Sequence, residues 1–243
     1  METVKQIPYG VADFESVINQ NMYYVDKTMY LAELEKQPRT LIFIRPRRFG
    51  KSLFISMMRA YYDKSKADRF DKLFGSLWVG SHPTPLRNHY QVLYLDFSRI
   101  GGNIDVLEKE FDSYCCIQLN DFIDTYRDDY PKEMVDEFLR SENATRKLNI
   151  LLNMSRKYDQ PLYLIIDEYD NFTNVVLSEH GEAIYHNMTH AAGFYREVFK
   201  KFKGMFERIF LTGVSPVTLD DLTSGFNIGW NISMAPELDK MLG

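Results

Sequence analysis

Gly50, Lys51 and Ser52 stand together in the stretch LIFIRPRRFGKSLFISMM, Leu41 to Met58. They match the end of the phosphate-binding pattern G-x-x-x-x-G-K-[ST]. In that chemistry the lysine reaches the β- and γ-phosphates, the serine hydroxyl binds Mg²⁺, and backbone N–H groups at a helix start face the negative charge. Gly50 permits the close backbone approach this requires. Arg45 stands where the pattern has its first glycine, and Pro46 has no N–H to donate. Both changes affect the beginning of the turn and leave its phosphate-facing end intact. The candidate nucleotide-binding residues are Arg45, Pro46, Arg47, Arg48, Phe49, Gly50, Lys51, Ser52 and Leu53. The competing reading is a basic strand-to-helix turn that holds no ligand.

A second group lies in LYLIIDEYD, Leu162 to Asp170, where an apolar run delivers Asp167 and Glu168 at its end. Ligands of open α/β sheets sit at the C-terminal ends of strands. There Asp167 would share Mg²⁺ with Ser52, and Glu168 would polarise the water that attacks the γ-phosphate. A solvated acidic strand end is the bland alternative. In RIFLTGVSP, Thr212 is placed at a strand end to reach the γ-phosphate or the water, with Ser215 as a competitor. The catalytic candidates are thus Lys51, Glu168 and Thr212, and the metal candidates Ser52 and Asp167. His186 and His190 in HNMTH have the spacing of two zinc ligands, but Asn187 replaces the glutamate of H-E-x-x-H, so they read as surface histidines. Arg45, Arg47, Arg48 and Lys51 could serve phosphates or form a small nucleic-acid patch. Their place on the loop favours phosphates.

These groups need elements to position them. TLIFI (40–44), VLYLDF (92–97), LYLII (162–166) and IFLT (209–212) read as strands, with a weaker one in FNIGWNIS (226–233). Near-continuous apolar runs separated by helical patterns predict a mostly parallel sheet covered on both faces. One helix begins at Ser52 and buries Leu53, Phe54, Met57, Met58 and Tyr61. A second carries Leu107, Phe111, Cys115, Phe122 and Tyr126, and a third starts from an Asn143 cap and carries Leu148, Leu151, Leu152 and Ser155. Tyr185, Met188, Ala192, Tyr195, Phe199 and Phe202 step by three and four toward a Gly204 cap. All these stripes read as core.

The 243 residues suffice for one large α/β domain, and an apolar fraction of 45% can fill its core. A formal net charge of −5 argues against a whole-surface nucleic-acid binder. Cys115 and Cys116 are adjacent and read as reduced thiols of a cytoplasmic protein. No run approaches the ~20 apolar residues of a membrane helix.

The segments IPYGVADFESVINQNMYYVDKT, RPRRFGKS, LIIDEYD and LTGVSPV through LTSGFNI together resemble the bacterial predicted AAA-ATPase-like domain family, over almost the whole chain. The resemblance implies a three-layer P-loop NTPase fold of the AAA+/ASCE type with sheet order 5-1-4-3-2, and an arginine at position 45 as the usual residue. It implies ATP and Mg²⁺ as cofactors, adenine as the base, and a single domain over 1–243. Residues 1–38 would pack beside the P-loop, with Tyr23–Thr28 near the base. The other reading of that segment is a helix capped by Asp26 that carries Leu31 and Leu34. Family members commonly continue into a segment resembling PD-(D/E)xK nucleases, which these residues do not contain, nor do they contain a helical lid. The expectation is an ATPase coupled to such an effector. A nucleotide-gated switch without turnover and a P-loop kinase are its rivals, and no residue here specifies the partner or the oligomeric state.

Overall fold

A computed structural model describes residues 5–100, 106–189, 194–202, 204–215 and 229–242. The chain runs through α1 (Phe14–Asn19), α2 (Met29–Lys36), β1 (Thr40–Ile44), α3 (Lys51–Tyr62), α4 (Phe70–Phe74), α5 (Trp78–Ser81) and β2 (Gln91–Asp96). It continues with α6 (Leu107–Thr125), α7 (Lys132–Arg140), α8 (Ala144–Lys157), β3 (Leu162–Asp167), α9 (Asn171–His180), α10 (Glu182–Thr189) and α11 (Phe194–Phe202). β4 (Arg208–Gly213) and β5 (Trp230–Asn231) complete it.

The strands form one five-stranded sheet in which every described pairing is parallel. Its order is β2-β3-β4-β1-β5, which is 5-1-4-3-2 read from the β5 edge. Side chains alternate between the two faces, as the pleat requires. Leu93, Leu95, Leu162, Leu164, Ile166, Ile209 and Leu211 join a core with α6, α8 and α11. Leu41, Phe43, Val92, Tyr163, Ile165 and Phe210 join another with α1, α2, α3 and α4. The result is helix, sheet and helix in three layers. By the same alternation Asp167, the last residue of β3, and Thr212, the last but one of β4, fall on the α3 face.

Several boundaries differ from the sequence reading, each for a local reason. α3 begins at Lys51 because Gly50 is left-handed (φ 84°) and its carbonyl already accepts from Phe54 N at 3.0 Å. β2 ends at Asp96, whose carboxylate takes the Ser98 N–H at 3.1 Å and turns Phe97 out of the strand. β5 is cut to two residues because Asn231 Oδ1 accepts from Ser233 N at 2.9 Å and bends the chain; residues 226–228 lie outside the described residues. Asp26 is not the cap of α2. It accepts from Thr28 N at 2.8 Å and from Trp78 N at 2.7 Å, so the helix starts at Met29, with Leu31 and Leu34 buried as expected. The stripe read through Tyr185 and Phe202 falls on α10 and α11, and residues 190–193 between them, Ala192 included, lie outside the described residues. Asn143 does cap α8, accepting from Arg146 N at 2.8 Å, and Gly204 is left-handed at φ 72°.

Candidate functional site

The order of the strands decides which groups meet. β4 lies between β1 and β3, with Phe43 opposite Thr212 and Ile166 opposite Leu211. β2 adds Asp96 opposite Asp167. The C-terminal ends of all four therefore reach one rim, where the loop 45–50 leaves β1 and turns into α3.

Asp167 is the centre of this rim. It is buried, accepts from Ser52 Oγ at 2.7 Å through one oxygen, and accepts from Thr212 Oγ1 through the other. Glu168 N also donates to it, at 3.0 Å. The next residue leaves the strand abruptly, since Glu168 has φ 50°, a left-handed conformation uncommon outside glycine. Its carboxyl is half-buried and held above the usual glutamate range by that burial and then by the Asp167 charge, against the pull of Arg47 and Lys51.

Lys51 is buried at 5% exposure, yet its Nζ donates to the carbonyls of Arg45 at 2.9 Å and Pro46 at 3.1 Å. Burial pulls its pKa down, and Asp167, Glu168 and Asp170 push it back up. The ammonium thus sits inside the curl of the loop, and among the described residues no carboxylate is hydrogen-bonded to it. Arg47, Arg48, Phe49 and Gly50 are exposed, and Arg48 has φ 69°. Arg47 donates to Asn171 Oδ1 at 3.3 Å. Arg45 faces elsewhere: its guanidinium donates to the Ser233 carbonyl at 2.6 Å and stacks 4.6 Å from the Phe43 ring centre.

Two hollows flank the loop. One, of about 330 Å³, opens beside Glu168 and is lined by Arg47, Asp170, Asn171, Asn174, Val175, Ser178 and Val214. The other, of about 460 Å³, is mainly apolar and lies beside Phe49, Gly50, Leu53 and Phe54, walled by Pro8, Tyr23, Tyr24, Val25, Lys27, Met241 and Leu242. The N-terminal segment is therefore against the loop.

Sequence reasoning overlooked the residue that holds the rim together. Asp170 is buried at 1% exposure and accepts from Val214 N at 3.0 Å, from Ser215 N and from Asn174 Nδ2 at 3.1 Å. It ties the end of β4 to the start of α9. Tyr169 reinforces the tie, its N–H on the Thr212 carbonyl and its hydroxyl on the Ser215 carbonyl, both at 2.9 Å. The backbone of Ser215 is thus held at this tie, and its rival Thr212 is the one bonded to Asp167. The signal was present, since Asp170 is a third carboxylate, after Asp167 and Glu168, at the end of an apolar strand. His186 is exposed and His190 lies outside the described residues. Among the described residues no group of three His, Cys, Asp or Glu could hold a metal. One carboxylate and one hydroxyl nevertheless suit Mg²⁺, which completes its octahedron with water and phosphate oxygens. Ser52 and Asp167, 2.7 Å apart, fit that demand.

No described helix is long and apolar enough to cross a membrane. No solved structure matches the chain significantly. A protein of Azotobacter chroococcum mcd 1, described as an uncharacterized protein in the vnfD 5' region, is 32% identical over 88 residues, which are 32% of this chain and 16% of that protein. The chain therefore corresponds to a small part of that relative. Residues 8–223 match the family described as Predicted AAA-ATPase. That match takes in the loop, Asp167, Glu168, Asp170 and Thr212, and the chain belongs to the AAA-ATPase-like family.

Proposed function

We propose that this chain binds Mg·ATP on the loop between β1 and α3 and hydrolyses it. The observation that carries the reading is the convergence on Asp167 of Ser52 from α3 and Thr212 from β4, beside a buried Lys51 whose hydrogen-bond partners among the described residues are backbone carbonyls. A phosphate entering the curl replaces the carbonyls of Arg45 and Pro46 as the partner of Lys51. Its negative charge removes the burial penalty on the ammonium. The N–H groups of the first turn of α3 add partial positive charge. Ser52 and Asp167 would hold Mg²⁺, which neutralises charge on the phosphate oxygens. Glu168 orients the attacking water and accepts its proton as the oxygen bonds to the γ-phosphorus and the bridge to the β-phosphate breaks. Its raised pKa suits it to that role. Thr212 fixes the Asp167 carboxylate and senses the phosphate through it. The apolar hollow beside Gly50 would take the base, with Tyr23–Lys27 as one wall.

One observation favours a second reading. The hollow beside Glu168, of about 330 Å³, exceeds the ~30 Å³ share of one water and leaves room for a small hydroxyl acceptor. Phosphate release measured with and without acceptors separates hydrolysis, transfer and a switch without turnover. The binding site itself is tested by Lys51→Ala. That variant is expected to keep the fold, because the two hydrogen bonds it gives up are to carbonyls of the loop itself, and to lose most ATP affinity by calorimetry. Unchanged affinity in a folded variant would overturn the reading. An effector resembling a nuclease, joined to this module, remains part of the same proposal through the family's usual arrangement.

A further inference from the structure

Arg45 occupies the position of a loop glycine, and its side chain turns away from the curl that Lys51 fills. Its guanidinium donates to the carbonyls of Ile44 at 3.1 Å and Ser233 at 2.6 Å while lying 4.6 Å from the Phe43 ring centre. Ser233 answers with its hydroxyl, which accepts from Ile44 N at 2.8 Å. The two residues thus form a reciprocal clasp between the loop and the segment that follows β5. Reaching a phosphate would cost Arg45 two charge-assisted hydrogen bonds and the ring contact.

The clasped segment runs from Ser233 to Leu242 across the molecule. Ile232 N donates to the Ile42 carbonyl at 2.9 Å, and Ile232, Leu238 and Met241 are buried. The Lys240 carbonyl accepts from Lys27 Nζ at 2.6 Å, and Glu237 accepts from Gln37 at 3.1 Å. Its far end brings Met241 and Leu242 to the wall of the apolar hollow beside Gly50. One strap therefore begins at the start of the phosphate loop and ends beside the place where a base would lie.

We infer that Arg45 is a positioning residue for the base and not a ligand of the phosphates: by holding Ser233 it seats the strap whose end walls the apolar hollow. The inference rests on the nucleotide reading above and adds to it a division of labour. Lys51 and the helix start take the phosphates, while Arg45 acts on the other end of the same ligand through ten residues of strap.

The two roles separate when the ligand has no base. Wild type, Arg45→Ala and Leu242→Ala are titrated calorimetrically with Mg·ATP and with Mg·tripolyphosphate. Arg45→Ala is expected to weaken ATP by about 10-fold while changing tripolyphosphate by less than about 2-fold. Leu242→Ala, which trims the wall and leaves the clasp intact, should show the same pattern, and Arg45→Lys, which keeps one donor for the Ser233 carbonyl, should fall between. Equal losses for both ligands in Arg45→Ala would make the guanidinium a phosphate ligand and overturn the inference while leaving the nucleotide site standing. Wild type that binds neither ligand would overturn both. A second measurement needs no nucleotide. In ligand-free Arg45→Ala, amides of residues 232–242 should exchange about 10-fold faster with those of α3 unchanged; strap amides exchanging at the wild-type rate would also overturn the clasp.

Discussion

Asp167 is shared by two hydroxyls, and the carboxylates of Glu168 and Asp96 both act on this small rim. Crowding of like charge has a measurable signature in Glu168. Its folded pKa lies above the ordinary value of 4.5, through burial first and Asp167 second. The neutral form is therefore the one the fold prefers. Whatever stability that preference contributes is present below about pH 4.5 and is lost as pH rises through the folded value. Glu168→Gln removes the titration. The variant should melt at a higher temperature than wild type near neutral pH, and the gap should close on acidification toward pH 4.5, as thermal melts across that range would show. The same variant should keep ATP binding and slow hydrolysis by roughly 10²–10⁴-fold, the range for loss of a general base. Gly213 lies against the same rim and has no room for a side chain. A Cβ there would lie 2.4 Å from Tyr169 Cε1 and 2.9 Å from Asp170 Oδ1. Gly213→Ala should cost about 1–3 kcal/mol in denaturant unfolding, typical of overpacking, because both neighbours are held in place by hydrogen bonds.

At the scale of elements, β2 is an edge strand that must not pair with another chain. Two tyrosines from α6 and its end cap its outer side. Tyr126 OH accepts from Val92 N and donates to Asp63 Oδ1, both at 2.9 Å, and Tyr114 OH accepts from Asp96 N at 2.7 Å. The Tyr126 hydroxyl is buried, and burial drives its pKa far up, so it stays a neutral donor and acceptor throughout the stable range. Tyr126→Phe leaves a buried N–H and a carboxylate oxygen each short of a partner. It is expected to cost about 1–3 kcal/mol in chemical denaturation and to leave nucleotide affinity unchanged, since this end of β2 is remote from the rim. Equality with wild type in the denaturation curve would show that water replaces the hydroxyl. The sequence reading placed Tyr126 on the α6 stripe as a core residue. Its hydroxyl's task follows only from α6 lying along the β2 edge.

Across the whole molecule, nucleotide binding would bridge parts far apart in the chain: the N-terminal wall at Tyr23–Lys27, the loop and α3, the ends of β3 and β4, and the strap ending at Leu242. A ligand that binds only the folded state stabilises it by about 2.7 kcal/mol at 100 times its dissociation constant. Mg·ATP should therefore raise the melting temperature of wild type in a concentration-dependent way and leave that of Lys51→Ala unmoved, as a thermal-shift titration would reveal. Much of this arrangement was legible in the residues. TLIFI, with four apolar residues of five, predicts β1 to the residue; the helix after Gly50 and the Asn143 cap are equally local, because strand period, helix period and capping are properties of neighbours along the chain. Gly50-Lys51-Ser52 and Asp167-Glu168 were likewise marked as candidates from spacing, since phosphate chemistry demands those types beside a helix start and at a strand end. What proximity along the chain could not encode is which strand ends become neighbours. Only the placement of β4 between β1 and β3 brings Thr212 onto Asp167, and only the same crossing gives Asp170 the N–H groups of Val214 and Ser215. The turn of Arg45 away from the curl was also invisible, because its partner Ser233 is 188 residues distant and is brought near solely by β5 pairing with β1. Local physics selects the elements and marks the reactive residues; their mutual contacts depend on long-range burial of both sheet faces, which decides the strand order.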